Sequence, residues 1–415
     1  MARLTTEQLE NIKQKYNVNR IWSWSRINTF MTSPYEYYLK YVINVAEDRT
    51  DCCYTTLGTI CHDTLDNFYE SKIPYEKMID SFEDGWLTAI EIADLKFDRN
   101  DETKNTNIAR KYKTDLQLFF RNHTTYKNQL SIEKPVVINV DGNIFVGYID
   151  AIYKDDDGVY HIIDFKTSTQ YTGKNLTEHS GQLVLYALGL HQAGIPLDKI
   201  RIKFNFLKYA TVQFQQKKKG SPPKYRDIER SQLGEKLKAN VTMWLKDAGY
   251  GIEDIDNYIS DLITTNSIGV LPKEIQDKYV ISDCHTEIPL TEELINYWTE
   301  TIRSTIKDIE LREKNYGEME NDKVFYDTEE SVKNQSYYFA TLCGYSGVKH
   351  KPYQFYLDKL EEAKNGGDVF GGVGSNVDIG EGFVKSGSDT KILSSTDGDF
   401  DSIDLSWLDS IVDND

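Results

Sequence analysis

Two aspartates and one lysine, Asp150, Asp164 and Lys166, stand in a stretch of alternating apolar and polar residues, GYIDAIYKDDDGVYHIIDFKT at 147–167. Two carboxylates, a backbone carbonyl and water together make a hard oxygen site for Mg²⁺ or Mn²⁺. Such an ion polarises a phosphoryl oxygen and lowers the pKa of a bound water, while an ammonium stabilises developing negative charge. These residue types therefore indicate metal-dependent phosphoryl hydrolysis. The alternative is a solvated ion pair on an edge hairpin, which contributes little to stability.

A β-hairpin must bring these side chains together. The loop Asp-Asp-Gly at 156–158 fits a three-residue turn whose glycine takes the left-handed conformation of a G1 bulge. Asp155 then pairs with Val159, which places Asp150 directly opposite Asp164, with Cβ atoms roughly 5 Å apart, and the lysine two residues later shares their face. Like charges opposed in this way are destabilising, so a protein without a use for them should avoid the arrangement. A two-residue turn would instead move Asp150 to the other face.

Helices are predicted on both sides of this hairpin, because apolar residues recur there at helical spacing. They are expected at residues 6–16, from about Ser25, from about Thr55, over most of 75–130 with a polar break at 97–107, at about 180–193 and over most of 227–314. A strand is predicted for IRIKFNFLKYATVQF at 200–214, followed by a basic loop, QQKKKGSPPKYR, at 215–226. This order of elements favours an α/β (α+β) fold with a central mixed sheet flanked by helices and helical insertions.

The charge of the chain bears on its partners. Its 415 residues include 48 basic and 66 acidic ones, a net charge of −18. Half of this excess lies in residues 365–415, which carry 11 acids and 2 lysines in a Gly-, Ser- and Asp-rich segment typical of disorder. The rest of the chain is only mildly acidic, so it can still carry a basic groove for a polyanion.

Several patterns that would mark other classes of protein are missing from the sequence. The apolar runs are far shorter than the ~20 residues that span a bilayer, and no signal peptide is recognisable. The five cysteines form no CxxC pair, as expected for reduced thiols, and there is no GxxxxGK[ST] loop of an ATP motor. We therefore expect a cytoplasmic protein. Lysine outnumbers arginine about three to one, which favours an AT-rich source such as a phage-infected bacterial cell.

Short motifs in a fixed order resemble the RecB-type branch of the PD-(D/E)XK nucleases. GYID and IIDFKT resemble its metal-binding core, GTICH at 58–62 its preceding GxxxH helix, and QLVLY at 182–186 its following QxxxY helix. SWSRINTFMTSPYEYYLKYV at 23–42 is similar to its amino-terminal segment. The resemblance covers about residues 20–210 and implies a restriction-endonuclease-like core.

The resemblance also implies a role for each matched residue. His62, Asp150, Asp164 and the carbonyl of Phe165 would bind Mg²⁺ or Mn²⁺, and Lys166 would act in catalysis together with the two aspartates. His62 alone would otherwise be interpreted as a core or capping histidine.

The two flanking motifs place further residues near this core. Gln182 and Tyr186, one turn apart on a helix, would position Lys166 or a phosphate; the alternative is the polar stripe of an amphipathic helix. Gly58 would permit close packing of its helix against the sheet. Glu133 resembles a glutamate sometimes found before this hairpin.

One departure concerns an iron–sulfur cluster. Many RecB-type relatives hold a [4Fe–4S] cluster with one amino-terminal and three carboxy-terminal cysteines. Here Ser33 stands at the first position, and LCGYSGVKHKPYQFY at 342–356 retains only Cys343, whereas a cluster needs four ligands. We therefore expect no iron–sulfur cluster and a region held together by packing.

Basic residues in and beside the loop at 215–226 are the candidates for contact with DNA phosphates, and the alternative is a solubilising loop. They are Arg201, Lys203, Lys208, Lys217, Lys218, Lys219, Lys224 and Arg226. Aromatic residues of the amino-terminal segment could stack single-stranded bases, although most are expected in the core. They are Trp22, Trp24, Tyr35, Tyr37 and Tyr38.

The acidic tail ends in DGDFDSIDLSWLDSIVDND at 397–415, which alternates acids with large apolar residues. It could dock on a replication or recombination protein as a short helix, or mimic DNA and cover the basic groove. A solvated disordered tail is the alternative.

Together these features favour a metal-dependent DNA nuclease, an exonuclease that acts on ends or single strands in recombination, repair or phage replication. A structure-specific endonuclease with the same site is one alternative, and a nuclease-fold DNA- or partner-binding module without catalysis is another. The expected parts are an amino-terminal helical part (1–130), a core sheet (131–226), a helical carboxy-terminal part (227–364) and the tail (365–415). The sequence leaves cleavage polarity, strand preference, DNA versus RNA and oligomeric state open.

Overall fold

Fourteen α-helices form in the described part of the chain. The computed structural model describes residues 3–218 and 220–365. Its helices are α1 (Thr6–Tyr16), α2 (Trp24–Thr32), α3 (Pro34–Tyr37), α4 (Cys53–Tyr69), α5 (Met78–Trp86), α6 (Glu102–Asn122), α7 (Lys174–His179), α8 (Gly181–Gln192), α9 (Leu233–Asp247), α10 (Ile252–Thr265), α11 (Lys273–Gln276), α12 (Glu292–Met319), α13 (Glu329–Asn334) and α14 (Lys351–Asn365). Helix α1 begins where the sequence predicts, because Thr5 and Gln8 form a reciprocal capping box.

Six strands of the described chain form one mixed sheet. They are β1 (Ser131–Val140), β2 (Asn143–Lys154), β3 (Tyr160–Lys166), β4 (Ile200–Phe214), β5 (Lys224–Glu229) and β6 (Tyr279–Ile288). Strands β1, β2 and β3 are successive antiparallel neighbours, and β3 pairs with β4 in parallel. Strands β5 and β6 both run antiparallel to β4. The predicted α/β fold with a central mixed sheet is therefore confirmed.

Strand β4 is long enough to serve two neighbours along one edge. Its first part pairs with β3 as far as Phe206, which lies opposite Lys166, and its last part pairs with β5 from Tyr209, which lies opposite Glu229. Strand β6 pairs along the other edge of both parts. The carboxyl ends of β3 and β5 therefore face each other across a short gap, which we call the notch, and Lys166 lies at its rim.

Two apolar cores support the sheet. The first joins α4, α5 and α6 to the strands, and its buried members include Leu65, Phe82, Phe119, Ile163 and Leu207. The second joins the last part of β4 to α9 and α10 through residues such as Val212, Leu237, Val241, Ile259 and Leu262. Burial of these side chains supplies the main favourable term for this arrangement.

Three predictions about secondary structure are wrong. The region at 227–314 contains the strand β6, and the predicted loop at 215–226 includes the first residues of β5. The polar break at 97–107 ends early, because α6 begins at Glu102 with Asp101 as its N-cap. Strands β5 and β6 form because the two edges of β4 offer backbone partners, a reason that their own sequences do not display.

The aromatic residues of the amino-terminal segment are mostly core residues. Trp22, Tyr35, Tyr37 and Tyr38 are all buried, so no base can stack on them and that prediction is wrong for these four. Trp24 is half-buried and covers Gly181, where an added Cβ would lie 2.0 Å from the Trp24 ring.

Helix α4 carries the GxxxH motif. The sequence predicts that Gly58 allows close packing against the sheet, but an added Cβ at this position would meet no atom within 4 Å. That prediction is wrong, since the space beside Gly58 is open. Close approach of helices occurs elsewhere, at Gly234 in α9, where an added Cβ would lie 2.4 Å from the carbonyl oxygen of Leu262 in α10.

The described chain divides into two compact units, residues 3–24 with 51–301 and residues 25–50 with 302–365. The boundary falls within α12. The first unit contains the sheet and both of the cores described above.

A buried chain of hydrogen bonds holds the second unit together. The Ser33 hydroxyl donates to Asp327 at 2.9 Å and lies 3.0 Å from Nε2 of His350. Nδ1 of His350 accepts from the Tyr353 backbone, so its Nε2 carries the proton and donates to Ser33. Burial raises the pKa of Asp327 to about 7 and lowers that of His350 to about 4. Polar contacts therefore join the two sequence segments here in addition to packing. The expectation of no iron–sulfur cluster stays a prediction.

Two further expectations concern the tail and membranes. Residues 366–415, almost the whole acidic tail, lie outside the described residues, so its partner role and the expected domain boundaries stay predictions. Within residues 3–218 and 220–365, no helix has both the length and the apolar character needed to cross a membrane.

Replacing Gly234 by alanine should lower the free energy of unfolding by about 1–3 kcal/mol, because the new methyl group meets the backbone of α10. Urea unfolding followed by circular dichroism measures the change. Gly58→Ala is the matched control in a helix with open space, and it should raise stability by about 0.5–1 kcal/mol. Equal effects of the two substitutions would contradict the packing described for α9 and α10.

Candidate active site

The β2–β3 hairpin has the predicted register. The Asp155 N–H donates to the carbonyl of Val159 at 2.9 Å, and Gly158 has a φ of 74°, as a G1 bulge requires. The pairs along the ladder follow from this turn. The register places Asp150 and Asp164 on facing positions of the two strands, and the two carboxylates interact electrostatically.

Asp150 lies at the centre of the site. Its Oδ2 accepts a hydrogen bond from the Phe165 N–H at 3.2 Å and lies 3.8 Å from Nδ1 of His62. Burial raises the pKa of Asp150 well above its ordinary value, and the Asp164 carboxylate raises it further. The fold thus holds two carboxylates together at an electrostatic cost that a bound cation would offset.

Lys166 is the cation of the site. Its Nζ lies 2.7 Å from Oδ2 of Asp164. Burial lowers the pKa of Lys166, but the carboxylates of Asp164 and Asp150 outweigh burial and raise it overall. Lys166 is therefore protonated at neutral pH, and its charge stays next to the carboxylates.

A histidine and a third acid border Asp150. One ligand atom from each of His62, Glu133 and Asp150 lies within 4.8 Å of the others. Nε2 of His62 also lies 3.1 Å from the carbonyl oxygen of Phe165. Glu133 has a φ of 49°, an unfavourable conformation for a residue other than glycine and one that clusters at functional sites.

These groups fit a divalent cation. Carboxylates and a backbone carbonyl are the oxygen ligands that Mg²⁺ and Mn²⁺ prefer, and an imidazole nitrogen is accepted by Mn²⁺. The predicted ligands His62, Asp150 and Phe165 come together, and Glu133 joins them. Asp164 is outside the group of three that meet within 4.8 Å, because it pairs with Lys166. Mg²⁺ and Mn²⁺ would both find hard ligands here.

Helix α8 covers the other side of Asp150. The Gln182 amide donates to the Tyr186 hydroxyl at 2.9 Å. Burial raises the pKa of Tyr186, and Asp150 adds to this effect, so the hydroxyl keeps a proton to donate. The Tyr186 ring rests on Gly147, where an added Cβ would lie 2.3 Å from the ring carbon Cε1. This contact explains the glycine of the GYID motif.

Some of the predicted DNA contacts cannot reach a surface groove. Lys208 is buried, lies 3.9 Å from Glu229 and stacks over the Tyr112 ring, so its assignment as a phosphate contact is wrong. Lys203 is half-buried and donates to the Tyr153 hydroxyl at 3.1 Å. A bulge in β4 between residues 205 and 210 turns Lys208 inward, and the sequence does not show it.

The other predicted DNA contacts lie on the surface. Arg201 is partly exposed, at the start of β4 and far along the strand from Lys166. Lys217 pairs with Asp247 at 3.0 Å. The remaining exposed ones are Lys218, Lys224 and Arg226, whereas Lys219 lies outside the described residues.

Comparison with known proteins identifies the class to which this fold and site belong. The family model of the PD-(D/E)XK nuclease superfamily matches residues 21–320, and the chain belongs to that superfamily. The match spans the hairpin, α4, α8 and the whole sheet. Nucleases of this superfamily use divalent metal ions, in agreement with the acidic group around Asp150. Assignment to the RecB-type branch stays a prediction.

Two solved structures share weaker similarity. One is described as a putative exonuclease from Eubacterium rectale, with 12% identity over 68% of this chain and 91% of its own, and a TM-score of 0.27. The other is SSO0001, with 16% identity over 47% of this chain and 75% of its own, and a TM-score of 0.16. At these TM-scores neither bears on the conclusions below. No curated protein shows significant similarity to the chain.

Replacing Asp150 by asparagine should raise the free energy of unfolding in EDTA by about 1 kcal/mol or more, because it removes a buried charge beside Asp164. The same change should abolish the thermal stabilisation by Mn²⁺, which amounts to about 2.7 kcal/mol at a hundredfold excess over Kd. Differential scanning fluorimetry with and without Mn²⁺ measures both effects. The exposed Asp157→Asn in the same hairpin is the control and should change neither. A full Mn²⁺ shift in the Asp150 variant would exclude this site.

Proposed function

We propose that the protein is a metal-dependent DNA nuclease that hydrolyses phosphodiester bonds, and specifically an exonuclease. The observation that carries this proposal is the convergence of two aspartates, a lysine and a histidine at the end of β3. A binding module without catalysis would have no need of opposed carboxylates, whose repulsion is destabilising.

The residues of the site divide the work of hydrolysis. A Mg²⁺ or Mn²⁺ ion, when bound by Asp150, Asp164, His62 and the Phe165 carbonyl, would polarise the phosphoryl oxygen and acidify a water. Lys166 brings a permanent positive charge to the position where negative charge grows on the phosphate. Its ion pair with Asp164 fixes the ammonium in place before the substrate arrives.

The second helix of the site serves orientation. Gln182 holds the Tyr186 hydroxyl, which can then donate its hydrogen to a phosphate oxygen or to a water beside Asp150. Because Tyr186 packs directly on Gly147 of β2, its position is tied to the strand that carries Asp150. Both residues are positioning residues in this account.

Several features support DNA as the substrate and an end as the point of attack. The superfamily is one of nucleases, and the motifs resemble its RecB-type branch. The exposed cations Lys218, Lys224 and Arg226 lie on and beside β5, which shares the notch with Lys166. A role in recombination, repair or phage replication accords with this resemblance, and so does a cytoplasmic location.

End-labelled single- and double-stranded DNA should be degraded in Mn²⁺ or Mg²⁺ and remain intact in EDTA. Asp164→Ala should reduce the rate at least about a thousandfold, since loss of the ion forfeits several kcal/mol of transition-state stabilisation. Product lengths on sequencing gels over time provide the measurement. Asp157→Ala, an exposed aspartate of the same hairpin, should cleave as the unaltered protein does. Cleavage without metal, or unchanged cleavage by Asp164→Ala, would refute the proposal.

A covalently closed circle of single-stranded DNA tests the mode of attack. An exonuclease needs an end, so the circle should stay uncut under conditions that degrade the linear strand of the same sequence to short products. The two substrates are compared in one reaction by gel electrophoresis. Linearisation of the circle would assign the site to a structure-specific endonuclease instead.

A further inference from the structure

Strand β5 presents an aromatic side chain to solvent. Tyr225 is 66% exposed, the highest value among the large aromatic side chains of the described chain. Exposure of this much apolar ring is unfavourable in isolation, although single exposed aromatics are common. Its neighbours along the strand indicate what the ring can contact.

The charge around Tyr225 favours a polyanion. Lys224 and Arg226 flank it and are both exposed. Within the described residues neither forms an ion pair, whereas Lys111, Lys208 and Lys217 in the same unit each lie within 4.0 Å of an acid. An aromatic ring between two free cations, in a chain of net charge −18, is the pattern of a site for single-stranded nucleic acid, where the ring stacks on a base and the cations meet phosphates.

The sheet places Tyr225 on the same surface as the loop that follows Lys166. Gln170 in that loop donates to the Asp227 carboxylate at 2.7 Å, so Asp227 faces the loop. Tyr225 is two residues from Asp227 on the same strand, and alternate residues of a strand share a face. Tyr225 therefore lies on the face of β5 that the active-site loop contacts.

The distance along the sheet corresponds to a short run of nucleotides. Lys166 is level with Phe206 of β4, and Tyr225 is level with Gln213. Seven residues of strand separate these levels, which is roughly 20 Å. A strand of several nucleotides that leaves the notch along β5 would reach Tyr225.

We propose that β5 is a binding ledge for single-stranded DNA, on which Tyr225 stacks one base while Lys224 and Arg226 hold the adjacent phosphates. This inference rests on the proposed nuclease function and adds a strand preference to it. Bases within a duplex are stacked on each other and cannot use the ring, but a duplex can use the two cations. The ledge therefore discriminates between strands through Tyr225 alone.

Equilibrium binding of the full chain in EDTA tests the proposal without requiring cleavage. The probes are a fluorescein-labelled thymidine 20-mer and a labelled 20-base-pair duplex at one fixed salt concentration, followed by fluorescence anisotropy. Tyr225→Ala should weaken binding of the 20-mer about tenfold or more and change duplex binding less than about twofold. Tyr225→Phe keeps the ring and should restore binding of the 20-mer.

Two further variants complete the design. Tyr297→Ala removes another exposed tyrosine, 48% exposed on α12, and should leave both affinities unchanged. The double variant Lys224→Ala with Arg226→Ala should weaken both probes and reduce the salt dependence of log Kd by about two.

The outcomes separate the ledge from the nuclease proposal. If Tyr225→Ala weakens both probes equally, or neither, the stacking ledge is wrong, whatever the cleavage assays show. Failure of the unaltered protein to cleave DNA in Mn²⁺ refutes the nuclease proposal and leaves the binding result standing. An unchanged affinity for both probes in the Lys224 and Arg226 double variant would show that β5 faces a partner other than nucleic acid, and would also overturn the ledge.

Discussion

The repulsion between the carboxylates of Asp150 and Asp164 is the constraint on which the rest of the site depends. Both groups are held in a poorly solvated place, where each raises the free energy of the other's ionised form. The protein offsets part of this cost with the Phe165 N–H, which donates to Asp150, and with Lys166, which pairs with Asp164. The remainder is available to a cation, so the hairpin stores affinity for metal in its folded geometry.

Strand β4 determines where this geometry opens to solvent. Because β3 and β5 pair with successive parts of the same edge of β4, their carboxyl ends meet at the notch and leave Lys166 at its rim. The loop after β3 then lies against Asp227 of β5. Catalytic chemistry and strand binding would therefore share one long strand as their common support, and the second apolar core stabilises its far part.

The site could be predicted from sequence where a turn fixes a register. Gly158 sets the β2–β3 pairing, and the two-residue turn after Val140 sets the β1–β2 pairing, which by the same argument brings Glu133 level with Asp150. That second step was available from the sequence and would have found Glu133. The inward turn of Lys208 and the strands β5 and β6 could not be predicted in this way. They depend on a bulge and on vacant edges of β4, which are properties of the assembled sheet.

The most direct test of the central claim is a crystal structure of the protein grown with Mn²⁺ and recorded at a wavelength where manganese scatters anomalously. The account predicts an anomalous peak within coordination distance of carboxylate oxygens from both Asp150 and Asp164, with the Phe165 carbonyl and His62 around it. Anomalous density elsewhere on the chain and none between these two aspartates, at saturating Mn²⁺, would contradict it.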